Sequence, residues 1–217
     1  TWKQVPNQPL AIDVIPCSAD LDLFDPQKIN AVQKTSWLQQ VGIKKGDIVF
    51  TYLGSIGGWY LTTEMMRFSK RIADKMPEAK FLFISPHRHD QIIAAANGEN
   101  ISLDKIITVQ AKRHEVPLFL SAGNFAFFFI KPCYSKLSSS PTKHGEIMAM
   151  GLPLITNSGV GDVKEIVEQY NAGLVLEYFS DTEMDRVIDM IKSGIHFDAD
   201  RIRQGAKDIY SLQNAVM

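Results

Sequence analysis

Little in this chain supports a disulfide, membrane or nucleic-acid reading. Only two cysteines occur among the 217 residues, Cys17 and Cys133, far apart and outside any C-x-x-C. Disulfide frameworks and thiolate metal sites need more or closer cysteines, so neither is indicated and a reducing compartment is expected. An excess of one charge is absent as well: 23 Lys+Arg stand against 24 Asp+Glu, a formal net charge of −1, with a pI of about 6.5. Coating nucleic acid requires a clustered cationic surplus, and no basic stripe is present. The densest apolar run, Phe125 to Ile130, falls far short of the ~20 residues of a membrane-spanning helix, and the N-terminus lacks a signal-peptide pattern. A cytoplasmic chain is expected. No Asp-x-Asp or histidine cluster is read as a metal site. No fixed-period repeat occurs, and the low-complexity content is limited to Ser138 to Ser140. The chain opens on Thr1, Trp2 and Lys3, without an initiator methionine and with a connecting segment that already runs into a strand, so a piece of a longer protein is expected.

What the chain does have is a 45% hydrophobic composition and enough length for one sizeable core. Short apolar runs alternate with stretches at helical spacing, the rhythm of parallel strands joined by crossover helices. This predicts an α/β doubly wound sheet over one domain, residues 1–217. Strands are expected at Ala11 to Ile15, Asp47 to Leu53, Lys80 to Ser85, Lys105 to Gln110, Asn124 to Ile130, Leu154 to Thr156 and Gly173 to Glu177. After the second strand Met65, Phe68, Ile72 and Met76 recur at helical steps until Pro77 stops them. Further helices are expected at Gln91 to Ala96, Glu115 to Ala122, Lys143 to Met150, Asp162 to Tyr170, Asp181 to Lys192 and Arg201 to Leu212. The run NFAFFFI, apolar nearly throughout, reads as a strand covered on both faces.

In an open parallel sheet, ligands bind beyond the carboxyl ends of the strands. Three turns there are chemically unusual. The first, Gly54-Ser55-Ile56-Gly57-Gly58, brings small residues and free N–H groups together before a helix, which suits an anion or a sugar, although it lacks Walker and G-x-G-x-x-G spacing. A tight turn without a ligand is the other reading. The second runs from Lys136 into Pro141-Thr142-Lys143-His144-Gly145-Glu146, where Thr142 is expected to cap a helix beginning at Lys143. Lys143 and Glu146 share a helix face. Side by side, an ammonium that attracts phosphate and a carboxylate that accepts from a diol match the two ends of a ribose diphosphate. The plain alternative is a surface ion pair of ~0.3 kcal/mol. The third turn, Gly159-Val160-Gly161-Asp162, leads into a helix that Asp162 is placed to cap, or else touches sugar or phosphate through its backbone.

The run PTKHGEIMAMGLPLITNSGVGDVKEIV resembles the donor-site signature of family 4 type glycosyltransferases of the GT-B fold, P-[ST]-K-x-x-E-x-M-A-x-G-x-P followed by a glycine loop. VIPCSADLDLFDP is similar to the V-I-P-x-x-[VA]-D-x-x-x-F segment that begins their C-terminal half, GSIGG resembles the glycine loop after its next strand, and the last helix with YSL resembles the closing segment. These matches run in order over nearly the whole chain. The resemblance implies a Rossmann-like donor-binding domain whose N-terminal acceptor half lies outside this chain. It implies a metal-independent hexosyltransferase of polysaccharide biosynthesis, moving a sugar from a nucleotide-diphosphosugar to a glycan or lipid-linked acceptor with retention of configuration. Such an enzyme has no cofactor beyond its donor substrate, sits in the cytoplasm or at the inner membrane face, and is inactive as this fragment alone. Lys143 and Glu146 are then the catalytic pair, contacting the donor diphosphate and the ribose hydroxyls, and Gly54, Ser55, Gly57, Arg88, Ser138, Thr142 and Gly161 complete the donor site.

The chain departs from that pattern in two places. Ser138 stands where many relatives carry the acidic residue that reads the donor sugar. Ser55 and then Gly57-Gly58-Trp59 stand where relatives place Arg and then Lys, so a second phosphate cation is unassigned. Arg88 is a candidate for it, with a solvated surface arginine as the alternative. His87, His89, His114 and His144 lack the neighbours of a general base, and His144 is expected on the helix surface. Met148 and Met150 are expected in the core. Two other readings remain open: a sugar-nucleotide epimerase of the same architecture, for which opposed acid and base carboxylates are missing, and a non-catalytic flavodoxin-like regulatory domain, for which Pro16-Cys17-Ser18 replaces the clustered acids of a receiver.

Overall fold

The computed structural model describes residues 15–216. The expected first strand therefore lies outside the described residues except for Ile15, which is in no strand. The described part begins with a connecting segment and helix α1 (Ala31–Gln40), which the sequence reading missed. Asn30 caps α1 by accepting from the N–H groups of Val32 and Gln33, yet the helix buries no residue, so it has no apolar stripe to announce it.

Six strands follow: β1 (Ile48–Leu53), β2 (Ala79–Ile84), β3 (Ile106–Val109), β4 (Phe125–Phe127), β5 (Leu154–Asn157) and β6 (Gly173–Leu176). They form one sheet in the order β3-β2-β1-β4-β5-β6, and every pairing is parallel. The connections are α2 (Thr62–Lys75), α3 (His89–Gly98), α4 (Val116–Leu120), α5 (Thr142–Ala149) and α6 (Val163–Tyr170), with α7 (Asp181–Lys192), α8 (Ala199–Tyr210) and α9 (Leu212–Val216) closing the chain. Helix α2 packs on α3 and α7, while α5 and α6 pack on α8. The core lies between these helices and the sheet, with Phe50, Phe81, Phe83, Phe127, Phe128 and Phe129 all buried.

Strand β4 is shorter than its apolar run. Asn157 explains this: its side-chain amide donates to the Ile130 carbonyl and its oxygen accepts the Ile130 N–H, both at 2.9 Å. A side chain has replaced the ladder there, so the segment stays extended and buried without being strand. The strand order reverses between β1 and β4. The crevice beyond the carboxyl ends of those two strands is the topological switch point of a doubly wound sheet.

Candidate functional site

Three segments converge on the switch point: the glycine turn after β1, the long connection between β4 and α5, and the first turn of α5. Tyr60 forms an antiparallel bridge with Ile130, and the Lys131 N–H donates to the Trp59 carbonyl at 2.9 Å. The first two segments therefore run side by side. The Gly161 N–H donates to the Lys136 carbonyl at 2.8 Å, tying the turn after β5 to the same group. Gly161 has φ +45°, and a Cβ there would lie 1.9 Å from the Ser139 carbonyl oxygen. Its amide is therefore engaged within the protein, on Lys136.

Lys143 is 8% exposed. Its amine sits 3.8 Å from the ring centre of Tyr60, 4.5 Å from Tyr52 and 5.7 Å from Phe128. It donates to the Tyr52 hydroxyl at 3.5 Å, and that hydroxyl donates to the Ser55 carbonyl at 2.6 Å. Among the described residues no carboxylate forms an ion pair with it. Burial lowers its pKa from 10.5 to about 7, against a smaller upward pull from Glu146. Gly54 makes this placement possible, because a Cβ there would lie 2.7 Å from the Lys143 amine.

Glu146, one turn along α5, is 6% exposed. Its Oε1 accepts from Arg113 Nη1 at 2.7 Å. Arg113 stands in a 3₁₀ turn, Arg113–Glu115, after β3, with its guanidinium 5.2 Å from the ring centre of Phe24 and its side chain 58% exposed. It also lines a cleft of about 970 Å³ with Asp20, Asp25 and Arg203. The two head groups are thus on one helix and buried, which corrects the surface ion-pair alternative. Neither is free, however: each already has protein partners, the lysine in aromatic rings and the glutamate in an arginine. Arg113, Tyr52 and Tyr60 were not among the predicted site residues. The signal for the tyrosines was a hydroxyl at the carboxyl end of an apolar strand and another just past the glycine turn. For Arg113 only the strand-end position spoke.

The remaining predicted residues are placed as follows. The Gly57 N–H donates to Thr62 Oγ1 at 3.1 Å. Arg88, exposed and in the left-handed region at φ 63°, reaches the Ile56 carbonyl with Nη1 at 3.4 Å, so it does border the glycine turn. Ser138 is exposed. Thr142 is exposed and is the first residue of α5, with Pro141 at the N-cap and no side-chain cap, because the helix begins one residue earlier than expected. Asp162 occupies the N-cap of α6 without a capping hydrogen bond. Lys136 rests 4.4 Å from the ring centre of Trp59, which is 53% exposed.

His144 is the clearest correction. It is fully buried, with Nδ1 2.8 Å from the Tyr210 hydroxyl and Nε2 without a partner, and burial lowers its pKa from 6.5 to about 3. The packing of α5 on α8 puts it there: Gly145 lies so close to the Tyr210 ring that a Cβ would come within 2.7 Å of it. Met148 and Met150 are buried as expected. Among the described residues no group of three His, Cys, Asp or Glu gathers. The Asp-x-Asp spellings at 20–22 and 198–200 serve local turns and caps: Asp20 accepts from the N–H groups of Asp22 and Leu23, and Asp198 from those of Asp200 and Arg201.

No family model and no curated relative matches the sequence. Solved structures do match it. WaaG, a glycosyltransferase involved in lipopolysaccharide biosynthesis, superposes with a TM-score of 0.74 at 17% identity over 94% of this chain. The C-terminal domain of a glycosyl transferase group 1 family protein, LpcC from Francisella tularensis, matches over 92% of this chain and 96% of its own length, with a TM-score of 0.59 and 20% identity. This is the fold of one half of a GT-B glycosyltransferase. Alr3699/HepE of Anabaena, solved with UDP-glucose, has the same GT-B half at a TM-score of 0.70 and 12% identity over 91% of this chain. The chain spans about half the length of WaaG and of the Anabaena protein, 55% and 53%. No helix among the described residues is long and apolar enough to cross a membrane.

Proposed function

We propose that this GT-B half binds the donor of a glycosyltransferase, taking a nucleotide-diphosphosugar whose diphosphate lies at Lys143 and whose ribose lies at Glu146. The observation that carries the reading is the burial of one lysine amine, with no carboxylate on it, at the switch point under a glycine turn. A buried cation without a counter-charge is costly, and an anion that completes it recovers that cost on binding. As the glycosidic bond breaks, negative charge grows on the departing diphosphate. A fixed ammonium stabilises that charge without reorganising, and a hydrogen bond to a charged group is worth about 1.5–3 kcal/mol. Glu146 keeps one oxygen on Arg113 and offers the other to the ribose hydroxyls. Solved relatives of this fold support the same ligand class, since the Anabaena protein carries UDP-glucose.

The acceptor is a glycan or a lipid-linked sugar held by the other half of the enzyme, the transfer retains configuration, and the ammonium takes the charge-stabilising role without a metal. The chain by itself turns over little, since the groups on the acceptor side are supplied by that other half. Titration calorimetry of the folded chain with UDP, GDP and ADP tests the reading: one of them binds more tightly than millimolar, and Lys143→Ala weakens that diphosphate far more than its nucleoside. Absence of binding by all three, or equal loss for diphosphate and nucleoside, overturns it.

A further inference from the structure

We infer that Tyr60, together with Tyr52, is a positioning residue for Lys143: their rings hold the amine at the switch point while presenting no negative charge that would compete with or repel a diphosphate. This deepens the donor-binding reading and rests on it. Both rings lie well inside the ~6 Å within which a cation is attracted by a π face. Both are also fixed. Tyr52 is fully buried at the end of β1, its ring centre 5.8 Å from that of Phe83 and 6.2 Å from that of Phe127. Tyr60 meets Tyr52 edge to face at 6.1 Å and 85°, and its backbone is pinned by the bridge to Ile130 and by its N–H on the Gly57 carbonyl at 3.1 Å.

The alternative way to hold a lysine is a carboxylate, and elsewhere this protein uses it: Lys75 lies between Asp185 and Asp189 at 3.2 and 3.1 Å. At a diphosphate site such a partner would have to be displaced, or would stay as a like charge facing the ligand. Aromatic faces restrict the long side chain without that penalty, so less of its rotamer freedom is lost when the ligand arrives. The glycine turn serves the same end, because the space of the missing Gly54 Cβ is where the amine lies. The titratable groups facing Lys143 are Tyr52 from β1, Tyr60 from the loop and Glu146 from its own helix; Phe128 completes the enclosure without charge.

The test compares Tyr60→Phe, which keeps the ring, with Tyr60→Ala, which removes it. Tyr60 is only half-buried, so both variants are expected to fold, as melting curves check. For whichever of UDP, GDP or ADP binds the parent, Tyr60→Phe stays within about threefold of it, whereas Tyr60→Ala weakens binding by about tenfold and leaves the nucleoside unaffected. A readout without ligand accompanies this: NMR titration of the Lys143 amine, whose midpoint is shared by the parent and Tyr60→Phe and rises by about one pH unit or more in Tyr60→Ala as water enters. An unmoved midpoint, or a phenylalanine variant as impaired as the alanine one, overturns the inference. If no nucleoside diphosphate binds the parent, the donor-binding reading falls, while the amine titration still decides whether the rings hold Lys143.

Discussion

Two groups of cations in this protein are built on opposite principles. Where α2 packs on α7, Arg71 forks onto Asp185 at 2.9 and 2.6 Å and reaches Asp181 at 3.2 Å, Lys75 meets Asp185 and Asp189, and Arg67 lies 3.5 Å from Asp181. All of these groups are at least a quarter exposed. At the switch point Lys143 is buried among rings with no ion pair, and Lys136 rests on Trp59. The difference separates charges settled by ion pairs from charges held by aromatic rings, and on the proposed function only the second kind meets a ligand. A cation paired with carboxylates has settled its electrostatics within the protein; one buried without an ion pair lowers stability until an anion supplies the counter-charge.

The comparison breaks most directly at Lys143. Lys143→Ala is expected to weaken the bound nucleoside diphosphate by roughly 10- to 100-fold, the worth of a charged hydrogen bond, with the nucleoside little changed by calorimetry. Raising the pH should act in the same direction. The amine loses its proton above about pH 7 in the empty site, whereas a bound diphosphate holds it charged. Binding therefore takes up a proton between about pH 7 and the ordinary lysine value near 10.5, and affinity should fall by up to about tenfold per pH unit in that window. A flat profile would show that Lys143 does not meet the ligand. Glu146→Gln should narrow the preference for a ribonucleoside diphosphate over its 2′-deoxy analogue by roughly tenfold at most, read by competition titration. On the other side, Arg71→Ala should leave diphosphate binding unchanged while lowering the melting temperature by about 2–5 °C, because it removes a partly buried, two-bonded pair that belongs to a charge network.

His144 sharpens the same contrast within α5. Its pKa in the folded chain, about 3, lies below the ordinary 6.5. The unfolded chain therefore binds the proton first, and the stability associated with a neutral His144 is intact above pH 6.5 and lost as the pH falls toward 3. Equilibrium unfolding across that range should be less steep in pH for His144→Gln than for the parent.

Much of the sheet was legible because its strands are apolar runs between turn residues, and helices α2 and α7 because each buries one stripe. Helix α1 was hidden for lack of such a stripe, and β4 was overextended because hydrophobicity does not distinguish a ladder from extended chain paired by Asn157. The pairing of Lys143 with Glu146 on one helix was readable from their spacing. Their actual partners were not: Tyr52 is 91 residues from Lys143 and Arg113 is 33 from Glu146, and such separations leave no periodic trace.

By itself, then, the sequence determined the class of fold, the side of the sheet on which a ligand would be sought and the helix that carries the charged pair, because periodicity, turn chemistry and residue spacing are local. Only the tertiary structure decided that the lysine is enclosed by rings, that the glutamate is shared with Arg113 and that His144 is buried against Tyr210. Burial and partnership depend on which distant elements the sheet order brings together, and that order reverses between β1 and β4.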